Sequence, residues 1–269
     1  MRALVRRHPL ASYFAIAYGA SALALIVIGV PTLVDAPRHF AIRSLLMFPV
    51  LVIAVGVAGI ALSGVTGGRA AIAELFRRAV RWRIPAGFYA SLLLPPAAIL
   101  AALLLLRLTS PAYAPNFYPA GLAYGVIAGF FEEFGWSGFA YPRMRRRFGA
   151  LRGAILLGLL WGVWHLPVVD ALGVATPHGR AWPYFFLAFV LALTALRVLI
   201  SWIYSNSESL VLAQLMHASS TGSLVVFGAT RVTPTQEATW YALYALLLGL
   251  AAFAIVRKVH IRCGEHLVG

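Results

Sequence analysis

The sequence predicts an all-α fold, a polytopic transmembrane bundle of about eight helices with both termini cytoplasmic. Three observations predict it. Of 269 residues, 61% are hydrophobic and 11% charged, with a mean hydropathy of +0.85, far from the composition of a soluble domain. Apolar stretches of about 20 residues, the length that crosses the hydrocarbon layer as a helix, recur to the end of the chain. The basic residues fall mostly on one side of those stretches. The stretches are too long and too uniformly apolar for barrel strands, so their backbone groups must be satisfied within helices.

In chain order, the first stretch, 10–30, is a retained span rather than a cleaved leader, because comparable stretches follow it. The second, 44–65, leads into 69–83, where Arg77, Arg78, Arg81 and Arg83 interleave with Ile72, Leu75, Phe76, Val80 and Trp82. That is the pattern of an amphipathic helix in the headgroup layer. The third, 86–106, holds Pro95 and Pro96, which predict a kink. The fourth, 119–141, carries Gly121, Gly125 and Gly129 at four-residue spacing, a small-residue stripe that admits a close neighbour and continues onto Glu133. Stretches 153–169, 183–204, 209–229 and 238–256 complete the eight. There is no internal repeat, low-complexity tract or long linker, so residues 1–269 are expected to form a single domain.

If both termini lie on one side, 16 basic residues fall there, in segments 2–7, 69–83, 143–152 and 257–262. Arg38, Arg43, Arg107, Arg180 and Arg231 fall on the other, and Arg197 lies inside span six. The richer side is cytoplasmic by the positive-inside rule. A net charge of +14 then reports loops facing anionic membrane lipids, with no nucleic-acid partner expected. The sole cysteine, Cys263, provides no disulfide framework, no cysteine-rich zinc site and no thiol nucleophile paired with a base.

Ionisable side chains at membrane depth cost about 2.5 to 3.5 kcal/mol even on the lenient scale, so each marks a candidate site. Asp35, Glu74, Asp170, Glu208, Glu237 and Glu265 fall at loops, span ends or the tail, whereas Glu132 and Glu133 lie inside span four. Of the seven histidines, only His165 and His217 are within spans; His8, His39, His178, His260 and His266 are expected to have water or headgroups within reach. At a rise of 1.5 Å per residue, Glu132 sits about 15 Å, His165 about 20 Å and His217 about 12 Å from the cytoplasmic ends of their spans. Three helices thus bring an acid and two imidazoles to overlapping heights. Trp136 and Trp161, one turn from Glu132 and His165, are candidate walls, although packing also explains such tryptophans. A lone intramembrane histidine can simply bridge helices, but adjacent glutamates have no comparable structural reason, since like charges disfavour one another in low dielectric.

A carboxylate beside an imidazole can take a proton from water, and a second imidazole can donate to the oxyanion formed when that water attacks a peptide carbonyl. Ser137, Ser219, Ser220 and Thr221 are nearby hydroxyls, but no G-x-S-x-G elbow is present. Two histidines and a glutamate would also suffice for a catalytic zinc, though no H-E-x-x-H occurs. A proton-coupled transporter lacks support from repeat symmetry.

Three segments, FFEEFGWSGFAYPRM at 130–144, LLWGVWHLP at 159–167 and LAQLMHASSTG at 212–222, resemble the EExxxR, FxxxH and HxxxN motifs of the CPBP family. This family comprises the CAAX proteases and bacteriocin-processing, Abi-like membrane proteins, regarded as glutamic intramembrane endopeptidases. The resemblance implies a motif core at about 119–229 and an integral multi-pass protein of a prokaryotic cell membrane. It implies Glu132 as the water-activating acid with His165 as partner, Glu133 as supporting acid and His217 as oxyanion donor, with Thr221 at the asparagine position. It implies a peptide or lipidated-peptide substrate, prenylated or a leader, and no cofactor, with zinc as the alternative. A non-catalytic immunity or scaffold protein of the same fold is the other reading. Ser137 stands where the family has Arg, Trp161 where it has Phe, and Thr221 where it usually has Asn. Arg197, about 10 Å deep by the helical rise, is expected to supply the missing cation.

Overall fold

A computed structural model describes residues 2–29, 47–171 and 178–265. Asp35, Arg38, His39, Arg43 and His266 lie outside the described residues. Among those described, the regular elements are helices: α1 (Arg2–Arg7), α2 (Pro9–Ala24), α3 (Met47–Ala79), α4 (Ala86–Ala90), α5 (Leu94–Arg107), α6 (Gly121–Gly135), α7 (Tyr141–Phe148), α8 (Ala150–Trp164), α9 (Leu166–Ala171), α10 (Trp182–Ser207), α11 (Leu210–Phe227) and α12 (Pro234–Glu265). Six helical stretches are long and apolar enough to cross a membrane: Pro9–Val27, Phe48–Ala79, Ala86–Arg107, Gly179–Ser207, Leu210–Phe227 and Pro234–Arg257. The fourth and fifth expected spans are instead interrupted helices. α6 passes through a π-helical segment, Trp136–Ala140, into α7, and α8 ends at His165, because Pro167 can neither donate a backbone bond nor clear the preceding turn.

The perimeter is apolar: Val57, Leu104, Leu122, Leu187, Leu246 and Phe253 are all at least half exposed. Meanwhile Glu132, Glu133, Arg197 and His217 are buried. An apolar exterior around a charged interior suits lipid as solvent, where polar groups must find partners inside the bundle.

Two local breaks interrupt the apolar helices. The third span contains a short 3₁₀ turn, Ser91–Leu93, just before the prolines, which occupy the first turn of α5 where a missing N–H costs nothing. The amphipathic segment is a helix in its own right, as expected, joined to the apolar part of α3 across a kink at Gly68, whose φ of 67° is a conformation that favours glycine. Beyond the bend Leu75 is buried, while Phe76, Val80 and Trp82 are exposed.

The glycine stripe works as expected. It packs α6 along α11 so closely that a Cβ on Gly125 would stand 2.6 Å from the backbone nitrogen of Gly222. In lipid such close backbone approach supplies the dispersion contact that the hydrophobic effect does not. α10 and α11 form a hairpin through Glu208, in the left-handed conformation (φ 52°), and Ser209, whose Oγ accepts the Leu212 N–H at 3.2 Å as N-cap. Arg197 precedes that corner by 11 residues and His217 follows it by nine, so the tight connection sets them at nearly the same height.

Candidate active site

Glu132 and Glu133 are consecutive on α6 and therefore point about 100° apart, into different surroundings. Glu133 is fully buried. Arg197 Nη1 donates to its Oε2 at 2.8 Å and Nη2 to its Oε1 at 2.9 Å, the two parallel bonds of a guanidinium fork. His217 Nδ1 donates to Oε1 at 2.8 Å, and Ser137 Oγ donates to Oε2. Arg197 thus supplies the cation expected of it, reaching from α10 the carboxylate that an arginine at 137 would have reached from one turn away. Ser137 leaves room for it, with Arg197 Nη1 3.4 Å from the hydroxyl. The guanidinium also lies over the Trp161 ring, its carbon 4.1 Å from the centroid.

Glu132 takes no part in that cluster. Its Oε2 accepts from the indole N–H of Trp136 and of Trp161, each at 2.9 Å, and none of these bonds engages Oε1. The carboxylate is thereby oriented by two rigid donors. The Trp161 donor is one that a phenylalanine could not provide. Sequence reasoning had given both tryptophans only the role of walls; the i,i+4 spacing of Glu132 and Trp136 was the available signal.

His165 is placed by the break after α8. Trp164 Nε1 donates to the Ala17 carbonyl at 3.0 Å, anchoring the end of α8 on α2. The His165 Nδ1 lies 2.8 Å from the Trp161 carbonyl. A carbonyl only accepts, so Nδ1 carries the proton and Nε2 presents a lone pair. By the same reasoning His217 donates its Nδ1 proton to Glu133, and its Nε2 becomes a donor in the imidazolium form.

Glu132, His165, His217 and Thr221 line one cavity of about 400 Å³, walled by Phe48, Tyr124, Trp161 and Phe189 among others. Glu133 stands behind its wall, and Thr221 lies one turn beyond His217 on α11. The other hydroxyls are engaged elsewhere: Ser219 donates to the Leu92 carbonyl at 2.6 Å, and Ser220 Oγ lies 2.9 Å from Tyr244 Oη. Among the described residues no three His, Cys, Asp or Glu side chains converge as a metal-ligand set.

Two further residues line the cavity that sequence reasoning left at a span end or within reach of water. His178 and Glu237 are each only 7% exposed. His178 Nε2 lies 3.1 Å from Glu237 Oε2, and its ring stacks on Phe185 at 3.9 Å and 16°. The expectation for His178 is corrected by this burial. Both residues flank the same-side ends of spans six and eight, which was the signal that could have paired them.

Residues 114–222 match the family described as type II CAAX prenyl endopeptidase Rce1-like. The chain is 28% identical over 96 residues to the CAAX prenyl protease 2 of Methanococcus maripaludis, an alignment covering 34% of this chain and 35% of that protein. The chain therefore spans about a third of the length of the curated relative it matches. The family match contains Glu132, Glu133, Ser137, His165, Arg197, His217 and Thr221.

Proposed function

We propose that this multi-pass membrane protein, whose residues 114–222 match the type II CAAX prenyl endopeptidase Rce1-like family, is an intramembrane endopeptidase in which Glu132 and His165 activate a water. The carrying observation is the division of labour between adjacent glutamates. Glu132 and His165 face the cavity, while Glu133 is held by Arg197, His217 and Ser137.

A water between Glu132 Oε1 and the Nε2 lone pair of His165 gives up a proton as its oxygen attacks the peptide carbonyl. The oxyanion so formed accepts from the Nε2–H of His217 when both ring nitrogens carry a proton, with Nδ1–H on Glu133, and from the Thr221 hydroxyl. When the C–N bond breaks, the proton held by the Glu132–His165 pair passes to the leaving nitrogen, so atoms and charge balance without a covalent intermediate. The departures from the family motifs compensate one another. Serine at 137 admits Arg197, and tryptophan at 161 both carries that guanidinium and binds Glu132.

The substrate is a membrane-associated peptide, prenylated or a leader, entering from the bilayer or the arginine-rich face, which we read as cytoplasmic in a prokaryotic cell membrane. The test incubates the detergent-purified protein with prenylated and unprenylated peptides, comparing wild type with Glu132→Ala. Cleavage by wild type alone supports the assignment. Cleavage that survives Glu132→Ala refutes the site, and no cleavage by wild type favours a non-catalytic immunity or scaffold role. Activity lost to a chelator and regained with zinc would replace the metal-free reading.

A further inference from the structure

At the arginine-rich end of the bundle, a second cavity of about 310 Å³ is lined by Arg78, Arg145, Arg146, Tyr141, Tyr204 and Glu208. Three guanidiniums against one carboxylate give its lining a net positive charge. The charges nearby are not spent alike. Arg78 Nε is bonded to Glu74 Oε1 at 2.6 Å, and its Nη1 donates to Tyr204 Oη at 3.0 Å. Glu208 is paired with Arg81 at 3.1 Å. Arg143, by contrast with its neighbours, turns inward to the Phe139 carbonyl at 2.8 Å and Thr66 Oγ1 at 3.0 Å. Among the described residues no side-chain hydrogen bond or ion pair engages Arg145 or Arg146.

We infer that this cavity binds the phosphate of an anionic phospholipid headgroup. Guanidinium forks match phosphate oxygens, and basic pockets between membrane helices are a recurrent headgroup site. The level agrees: Phe76 and Trp82, flanking Arg78 along the chain, are 45% and 62% exposed, as expected of side chains lying in the interface. The position also couples the site to the interior. Tyr141 opens α7, continuous through the π segment with the helix of Glu133, and Tyr204 lies two turns beyond Arg197 on α10. A headgroup held there clamps together the two helices that carry the buried ion pair.

The protein is purified whole in a neutral detergent and titrated with phosphatidylglycerol, phosphatidylcholine or inorganic phosphate at matched phosphate concentration. Unfolding temperature and lipid retained in native mass spectrometry are recorded. Phosphatidylglycerol should raise the unfolding temperature and be retained, with phosphatidylcholine and inorganic phosphate giving much smaller effects. R145E/R146E should weaken retention by at least about 30-fold, the effect of two interfacial arginines. R145Q/R146Q should weaken it in the same direction, and R145K/R146K, which keeps the charge but loses the forks, should weaken it less than the glutamine pair. Equal responses to the two lipids, or an undiminished response in both the glutamate and the glutamine variants, would overturn the proposal. A phosphate effect as large as that of phosphatidylglycerol would reassign the site to the free ion and overturn the lipid assignment. None of these readouts is catalysis, so they stand apart from the proteolytic reading.

Discussion

Arg197→Ala, read with and without Ser137→Arg, probes the relocated cation most sharply. Arg197 and Glu133 are both fully buried and joined by two bonds of 2.8 and 2.9 Å. Removing one partner of such a pair leaves an uncompensated charge and costs about 3 to 5 kcal/mol, here opposed only by the His217 and Ser137 bonds that remain on Glu133. Ser137→Arg alone should also destabilise, since a second guanidinium must enter space that Arg197 already fills. In the Arg197→Ala background the same change should stabilise, because an arginine at 137 stands one turn from Glu133 and the vacated volume admits it. The assay is thermal or detergent-induced unfolding of all four proteins, with the coupling taken from the double-mutant cycle. Recovery of at least half of the Arg197→Ala loss is expected. An Arg197→Ala loss below about 1 kcal/mol, or additive effects of the two changes, would refute the claim that Arg197 replaces the family arginine.

Three further outcomes follow from the same geometry. Glu132→Gln should lower kcat for peptide cleavage by at least about 100-fold, the scale of a lost proton-transfer group, and unchanged turnover would remove Glu132 from the chemistry. Trp161→Phe deletes one of the two indole donors on Glu132 and should cost about 1.5 to 3 kcal/mol of stability, as for a hydrogen bond to a charged group. An unfolding midpoint identical to wild type would show that this bond contributes nothing. Gly125→Ala forces a methyl group to within 2.6 Å of the Gly222 nitrogen and should destabilise by about 1 to 3 kcal/mol; a neutral result in the same assay would deny the close α6–α11 approach.

The membrane architecture was legible because hydropathy over 20 residues is a local property, and lipid leaves the backbone few alternatives to helix. The heights of Glu132, His165, His217 and Arg197 were legible too, since helical rise converts sequence position into depth. That is why an arginine in span six could be matched to the cation missing at Ser137. The breaks were less legible. Pro167 ends α8 at His165 as its chemistry demands, whereas Pro95 and Pro96 stand in the first turn of α5, after the 3₁₀ turn Ser91–Leu93, because a helix start tolerates proline better than a helix interior does.

By itself the sequence determined a helical membrane bundle and a level within it where acid and imidazole meet. Only the tertiary structure decided which glutamate faces the cavity. Neighbouring residues on a helix share a depth but differ by about 100° in direction, and direction acquires meaning only when α8, α10 and α11 are packed around α6. That packing turned Glu133 toward Arg197 and His217, gave Glu132 its two tryptophan donors, and joined His178 to Glu237 across 59 residues of chain.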